Sequence, residues 1–271
     1  MDARLQRRVQ RYGWDLAAAD YEPLWQAQLA GAQGALIERA ALRPGQRVLD
    51  VACGTGLVSL SAAAAVGPAG AVLGVDLSGA MVDAATARAC TSGAANVRFA
   101  RMDGEALDCA DASFDVAVCA LGLMYMPEPE HALREMRRVL RPGGRMVAAV
   151  WGERSRCGWA SVFGIVDAEV ASDVCPLFFR LGQHDALARA CSEAGFASVD
   201  SHRIEATLDY ADAGQACDAA FVGGPVALAW SRFDADVRQR VRDRYLASIA
   251  AWRHGTGYRL PAEFVIAAAS A

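Results

Sequence analysis

The sequence predicts an α/β fold in which a doubly wound, mostly parallel sheet carries a ligand site along one edge. Two observations support this. Three apolar runs, Arg47 to Val51, Ala71 to Asp76 and Asn96 to Gly104, alternate with helical stretches, and each brings a carboxylate to its carboxyl end: Asp50, Asp76 and Asp103. In an open parallel sheet those ends lie together at the crevice where ligands bind. After the first run the chain breaks into Gly54-Thr55-Gly56, a Gly-x-Gly turn that takes positive φ without a Cβ penalty and lets a ligand approach the backbone amides.

The elements follow in order. Residues 3 to 30 have a mostly helical pattern carrying Tyr12, Trp14, Tyr21 and Trp25. Pro44-Gly45 precedes the first strand, an alanine-rich helix spans Leu57 to Val66, and Gly67-Pro68-Ala69-Gly70 breaks it. Ser78 caps the helix that holds Met81, and Pro127 and Pro129 precede a helix from Glu130 to Leu140, whose Leu133, Met136 and Leu140 recur at helical spacing. Arg141-Pro142-Gly143-Gly144 ends that helix, and a fifth strand runs from Arg145 to Trp151. Beyond Trp151 the pattern changes. The stretch Cys157 to Phe179 is aromatic and poor in charge, with Trp159, Phe163, Phe178 and Phe179. Residues 183 to 195 return to a helix and Phe196 to Tyr210 form a sixth strand. A second insertion, 211 to 258, holds Gly223-Gly224-Pro225 and a helix from Asp234 to Trp252, and an apolar strand spans Glu263 to Ala268.

The turn at Gly54 is neither of the common phosphate cradles. The P-loop pattern is absent, and the dinucleotide fingerprint needs a third glycine where Ser59 stands. Asp50 beside the turn repels a pyrophosphate and suits a ligand with an ammonium and a sulfonium. Asp76 lies twenty residues past Gly56, where a doubly wound fold places the acid that binds ribose hydroxyls.

Five ordered segments carry a resemblance: VLDVACGTG at 48 to 56, VLGVDLSGAMV at 72 to 82, RMDGEAL at 101 to 107, FDVAVCALGLMYM at 114 to 126 and LREMRRVLRPGGRMVAAVW at 133 to 151. In these the chain resembles class I S-adenosylmethionine-dependent methyltransferases of the ubiquinone- and menaquinone-biosynthesis type. The resemblance implies a seven-stranded Rossmann-like sheet whose seventh strand runs antiparallel between the fifth and sixth, with helical insertions forming a substrate cap. It implies that Asp50 and the backbone from Ala52 through Gly54 to Gly56 hold the methionine part of S-adenosylmethionine. Asp76 takes the ribose hydroxyls, Leu77 and Met81 flank the adenine, Asp103 and the Gly104 amide meet its edge, and Ala120 and Leu121 line the floor. Residues 1–45 are then an N-terminal helical lid, 46–151 the cofactor-binding core, and 152–271 the rest of the sheet with insertions at about 152–182 and 211–258 that wall an acceptor pocket.

Composition narrows the partners. The 271 residues are 54% hydrophobic, with a net charge of −4 and a pI near 5.6, and the basic residues are scattered among acids, which argues against a nucleic-acid footprint. No stretch reaches eighteen apolar residues and the charged N-terminus lacks a signal-peptide core, so a cytoplasmic protein without a membrane span is expected; a homodimer is left open. The eight cysteines show no Cys-x-x-Cys pair and no metal-ligand spacing.

For chemistry, Tyr125, just past the fourth strand, and His131 are the catalytic candidates, with His184, His202 and His254 as further histidines that could serve as a base. Tyr12, Tyr21, Cys175, Phe179 and Tyr258 are the expected pocket residues. The expected function is methyl transfer to a small-molecule acceptor, an aromatic or quinone-like hydroxyl. Two alternatives stay open: a thiol, sulfide or metalloid acceptor served by Cys157 and Cys175 as soft ligands, and a catalytically silent cofactor-binding subunit.

Overall fold

The structure, a computed structural model, describes residues 3–170, 175 and 177–271; part of the first insertion therefore lies outside the described residues. The chain starts with a long helix, α1 (Ala3–Ala40), and then alternates: β1 (Arg47–Val51), α2 (Leu57–Val66), β2 (Ala71–Asp76), α3 (Gly79–Ser92), β3 (Val97–Arg101), β4 (Phe114–Ala120), α4 (Pro129–Val139) and β5 (Leu140–Trp151). The second half adds α5 (Ser161–Val170), α6 (Ala186–Glu193), β6 (Ala197–Tyr210), α7 (Ala213–Phe221), α8 (Ala227–Ser231), α9 (Ala235–Ser248), the short β7 (Arg253–His254) and β8 (Gly257–Ser270).

The strands order as β3-β2-β1-β4-β5-β8-β6, with β7 paired onto β8. β1 to β5 are parallel, while β8 runs antiparallel to both β5 and β6. This is the expected mostly parallel sheet with its last long strand slotted between the fifth and sixth, plus one two-residue strand. The central strands read as continuous apolar runs because both of their faces are covered: Val48, Leu49 and Val51 of β1 and Val116, Ala117 and Val118 of β4 are all buried.

Local chemistry sets the element ends. Gly56 caps α2 at φ 84°, and a Cβ there would stand 2.9 Å from the Phe99 ring. The Ser78 hydroxyl accepts from the Met81 N–H at 3.1 Å to start α3. Pro129 opens α4, where its missing N–H costs nothing. The segment Arg141 to Gly144, expected to end α4, instead belongs to β5: Gly143 turns at φ 75° and donates to the Ala271 carbonyl at 3.1 Å, while the Ala271 N–H returns to Gly144 at 2.9 Å. The C-terminus thereby stitches the start of β5. Likewise β8 is longer than the apolar run Glu263 to Ala268, because its first half pairs with β6 from Tyr258 onward. Among the described residues no helix is long and apolar enough to cross a membrane.

Candidate active site

The cavity lies at the carboxyl ends of β1, β2, β4 and β5, roofed by α1. Arg7, Gln10, Trp14, Tyr21, Trp25 and Leu29 border it from the helix. From the strand ends come Ala52, Gly54, Asp76, Leu77, Met81, Asp103, Gly104, Ala120, Leu121 and Trp151. A smaller cleft, lined by Asp50, Ala52, Gly54, Thr55 and Ala120, adjoins it through Tyr21, which borders both.

The turn after β1 is built for close approach. Ala52 has φ 58° and Gly54 φ 53°, and Gly54 donates its N–H to the Asp76 carboxylate at 2.9 Å. The other Asp76 oxygen accepts from the Ser78 N–H at 2.9 Å, so two backbone donors orient the carboxylate on the cavity wall. Burial raises the Asp76 pKa above the usual carboxylate range, and its backbone hydrogen bonds work against that. Asp50 is deeper, 1% exposed, and accepts from the Ser59 hydroxyl at 2.6 Å. Burial pushes its pKa up to about 7, with the Ser59 hydrogen bond opposing. On the far side Asp103 sits in a two-residue bridge with Ala106, beyond the end of β3, and accepts from the Glu105 N–H at 2.9 Å.

The helix roof is tied down by charge. Arg7 of α1 donates to Glu105 at 2.6 Å, lies 3.3 Å from Asp103 and reaches Glu128 at 3.2 Å. Asp15 accepts from the Ser78 hydroxyl at 2.6 Å, fixing α1 to the start of α3. Inside this frame the wall is aromatic: Trp14 meets Tyr125 edge-on at 5.0 Å, and Trp25, Trp151 and Trp159 meet one another at 4.8 to 6.1 Å.

Most expected cofactor residues gather here. Ala52, Gly54, Asp76, Leu77, Met81, Asp103, Gly104, Ala120 and Leu121 border the main cavity and Asp50 the adjoining cleft. Gly56 borders neither; its lack of a Cβ makes room for Phe99 and Ala85, so its role is in packing α2.

The expected acceptor and catalytic residues are largely elsewhere. Of them only Tyr21 and Tyr125 border the cavity. Tyr12 is 48% exposed with the Arg11 guanidinium over its ring at 4.5 Å, on the outer side of α1. His131 is exposed and its Nδ1 faces Glu128 at 3.6 Å. Cys175 is buried against Gln10, which donates to its sulfur at 3.5 Å, and burial pushes its thiol up to about 12. Cys157 is buried with its thiol 3.8 Å from the Glu263 carbonyl and is pushed by burial up to about 11. Phe179 is buried between Phe178 at 4.8 Å and Phe163 at 5.7 Å. Tyr258 is paired with Arg253 of β7 and Tyr210 of β6, in a turn-linked extension of the sheet. Burial holds the Tyr125 phenol well above its ordinary range, so it stays neutral near pH 7.

The second insertion reaches the cavity through Gly224 and Pro225, and the first through Trp159. Elsewhere in the second insertion Phe221 stacks on Trp230 at 4.6 Å and meets Tyr245 edge-on at 5.3 Å, within the same buried core as the sheet. Arg7, Gln10, Trp14, Trp151 and Trp159 are cavity residues that the sequence reading did not single out as such. The spacing of Trp14, Tyr21 and Trp25, seven and then four residues, is the signal that marks the inward face of α1.

This donor set suits an adenosyl sulfonium. Asp50 and Asp76 offer carboxylates to an ammonium and a diol, and the Thr55 hydroxyl in the cleft is buried without a partner. Among the described residues no cluster of side chains could hold a metal ion.

Residues 48–144 match a family described as a methyltransferase domain. The ubiquinone/menaquinone biosynthesis C-methyltransferase UbiE of Ectopseudomonas mendocina is 44% identical over 112 residues, which are 41% of this chain and 44% of that protein. The chain thus spans about half the length of the curated relatives it matches. Among solved structures, the YcgJ protein of Bacillus subtilis superposes with a TM-score of 0.64 at 19% identity, covering 89% of this chain and 98% of that one. The [4+2]-cyclase SpnF superposes at 0.61 with 23% identity, covering 90% and 82%. Those two share the fold, and one of them is named for a cyclisation, so the fold alone does not set the reaction. Residues 48–144, which hold Asp50, Gly54 and Asp76, are thus similar to a methyltransferase domain and to the matching part of the ubiquinone/menaquinone biosynthesis C-methyltransferases.

Proposed function

We propose that the protein transfers a methyl group from S-adenosylmethionine to a small aromatic acceptor of quinone or phenol type. One observation carries the reading: a single cavity joins a carboxylate-lined end, Asp76 and Asp103, to an aromatic end, Trp14, Trp25, Tyr125, Trp151 and Trp159. The polar end suits a nucleoside with a cationic tail and the aromatic end suits a flat ring.

In this reading Asp76 accepts hydrogen bonds from the ribose hydroxyls, held in place by Gly54 and Ser78. Asp103 and the Gly104 amide meet the adenine edge beside Leu77 and Met81, and Asp50 with the turn at Ala52 and Gly54 holds the methionine end. S-adenosylmethionine supplies a methyl on a positively charged sulfur, already electrophilic. The chain's own task is to orient the acceptor and exclude water, which together can be worth roughly 7–11 kcal/mol. The α1 roof does the second. With His131 exposed and the Tyr125 phenol held neutral, neither is placed to act as a base near pH 7. An acceptor already rich in electrons at the reacting atom, such as a neutral hydroquinone, needs no base to form the new bond to the methyl carbon; the carbon–sulfur bond breaks to leave S-adenosylhomocysteine, and the methylated acceptor then loses one proton to water. The relatives' name, a C-methyltransferase, supports a ring carbon as the methylated atom.

Incubation with S-adenosylmethionine carrying a labelled methyl, against phenols, hydroquinones and thiols, tests this. Label in a phenol or hydroquinone product supports it, carbon or oxygen attachment being read by NMR; label in thiols alone contradicts it.

A further inference from the structure

Buried polar atoms without a hydrogen-bond partner are few in native proteins, and each requires a reason. Among the described residues five side chains carry one: Trp25, Thr55, Trp159, His202 and Tyr245. His202 and Tyr245 lie away from the site. Thr55 borders the cleft beside Asp50. Trp25 and Trp159 border the main cavity together, with ring centres 5.8 Å apart and exposures of only 4% and 1%. Two buried donors therefore belong to residues of one cavity wall, and no group among the described residues accepts from them.

We propose that the indole N–H groups of Trp25 and Trp159 bind an oxygen of the methyl acceptor, and that the acceptor is a flat, uncharged ring system carrying a carbonyl or phenol oxygen. This rests on the methyltransferase reading above. An indole N–H only donates, so its ligand must present an acceptor; a protonated amine has none to offer, and a thiol sulfur is a weak one. Around the pair the walls are rings. Trp151 lies 4.8 Å from Trp159 and 6.1 Å from Trp25, an arrangement that suits a planar ligand by offset and edge-on contact. The charged groups that border the cavity, Asp76, Asp103, Glu105 and Arg7, are engaged with one another or with backbone amides. Burying an unpaired donor is costly, and a ligand that relieves two such costs gains specificity over one that cannot. Both rings are held by edge contacts to other rings.

The test uses the full chain with ¹⁵N-labelled tryptophan, saturated with S-adenosylhomocysteine and titrated with 1-tetralone and, separately, with tetralin, which has the same skeleton without the oxygen. The indole resonances are assigned with Trp25→Phe and Trp159→Phe. Tetralone is expected to move the Trp25 and Trp159 indole protons downfield and to bind at least about threefold more tightly than tetralin, one lost hydrogen bond being worth that factor or more. The preference is expected to fall to near unity in the double Phe variant. It is expected to fall equally when benzothienylalanine, which keeps the shape of tryptophan and lacks the N–H, stands at both positions. Equal binding of the two probes, no tetralone binding up to its solubility limit, or a preference that survives in the benzothienylalanine protein overturns the proposal. Selective tetralone uptake by a protein that ignores S-adenosylhomocysteine keeps the donor pair and removes the methyltransferase reading instead.

Discussion

Arg7, in the second turn of α1, donates to Glu105 at 2.6 Å across 98 residues of chain, and so ties the helical roof to the loop that carries Asp103 and Gly104. The Glu105 side chain is only 2% exposed while Arg7 is 26% exposed. Removing the arginine leaves a buried carboxylate without its cation.

Arg7→Met is therefore expected to loosen the start of α1 more than the sheet. A cost of about 1–3 kcal/mol, discounted for the exposure of Arg7, is what such a charged hydrogen bond is worth. Limited proteolysis should cut within the first two turns of α1 faster than in the wild type, and the KM for S-adenosylmethionine should rise while β-sheet circular dichroism holds. Unchanged cleavage would mean that Asp15 and the aromatic contacts hold the helix without Arg7.

Asp50 gives the site a pH dependence of defined sign. Its folded pKa of about 7 lies above the ordinary 3.8, so the folded apo protein takes up a proton there that the unfolded chain has lost between these values. The stability this lends is full below about pH 4 and is lost as the pH rises through about 7. A cationic ligand prefers the ionised form, so S-adenosylmethionine affinity is expected to rise from pH 5.5 to 7.5 and then level. Asp50→Asn should unfold later than the wild type at pH 8, by about 1–3 kcal/mol, yet bind the cofactor weakly and without that pH slope. Chemical denaturation and calorimetry at several pH values check both halves.

Gly104 tests the close approach of the third strand's loop. A Cβ there would lie 2.8 Å from Val51 Cγ1 and 2.9 Å from Met126 Cε. Met126 can move and Val51, in the central strand, cannot. Gly104→Ala is expected to shift this loop and cost about 1–3 kcal/mol of stability, the range for overpacking, with weaker cofactor binding; wild-type melting and binding would mean that the loop yields freely.

The buried thiols separate two acceptor chemistries. Cys175 is neutral and borders Gln10 rather than the cavity, so Cys175→Ala and Cys157→Ala should each keep turnover within about threefold, as should His131→Ala, effects of under 1 kcal/mol on the barrier. A hundredfold loss of kcat for Cys175→Ala with unaltered folding would favour a thiol, sulfide or metalloid acceptor.

The strand ends were legible in the sequence because their signal is local: an apolar run, a carboxylate and a turn within ten residues, repeated at Asp50 and Asp76. The order of the last strands was legible only through resemblance, since β8 pairs with β5 and β6 over long sequence separations. Within the roof Tyr12 lies outside the cavity for a helical reason. Tyr12 and Trp14 are two positions apart, which at 3.6 residues per turn puts them on nearly opposite sides of α1, so only one can face the cavity. The phase was hidden because the inward stripe includes the buried Gln6 and Gln10 while Leu5, Tyr12 and Leu16 are exposed, the reverse of ordinary patterning. Trp151 and Trp159 meet Trp25 only through tertiary packing, and no local spacing announces that.

Calorimetric titration of S-adenosylhomocysteine into the wild type and into Asp76→Ala, side by side, tests the central claim most directly. The account predicts one site per chain in the wild type and a Kd at least about thirtyfold weaker in the variant, from two charge-assisted hydrogen bonds lost together. No binding to the folded wild-type protein, or an equal Kd in a folded Asp76→Ala, would contradict it.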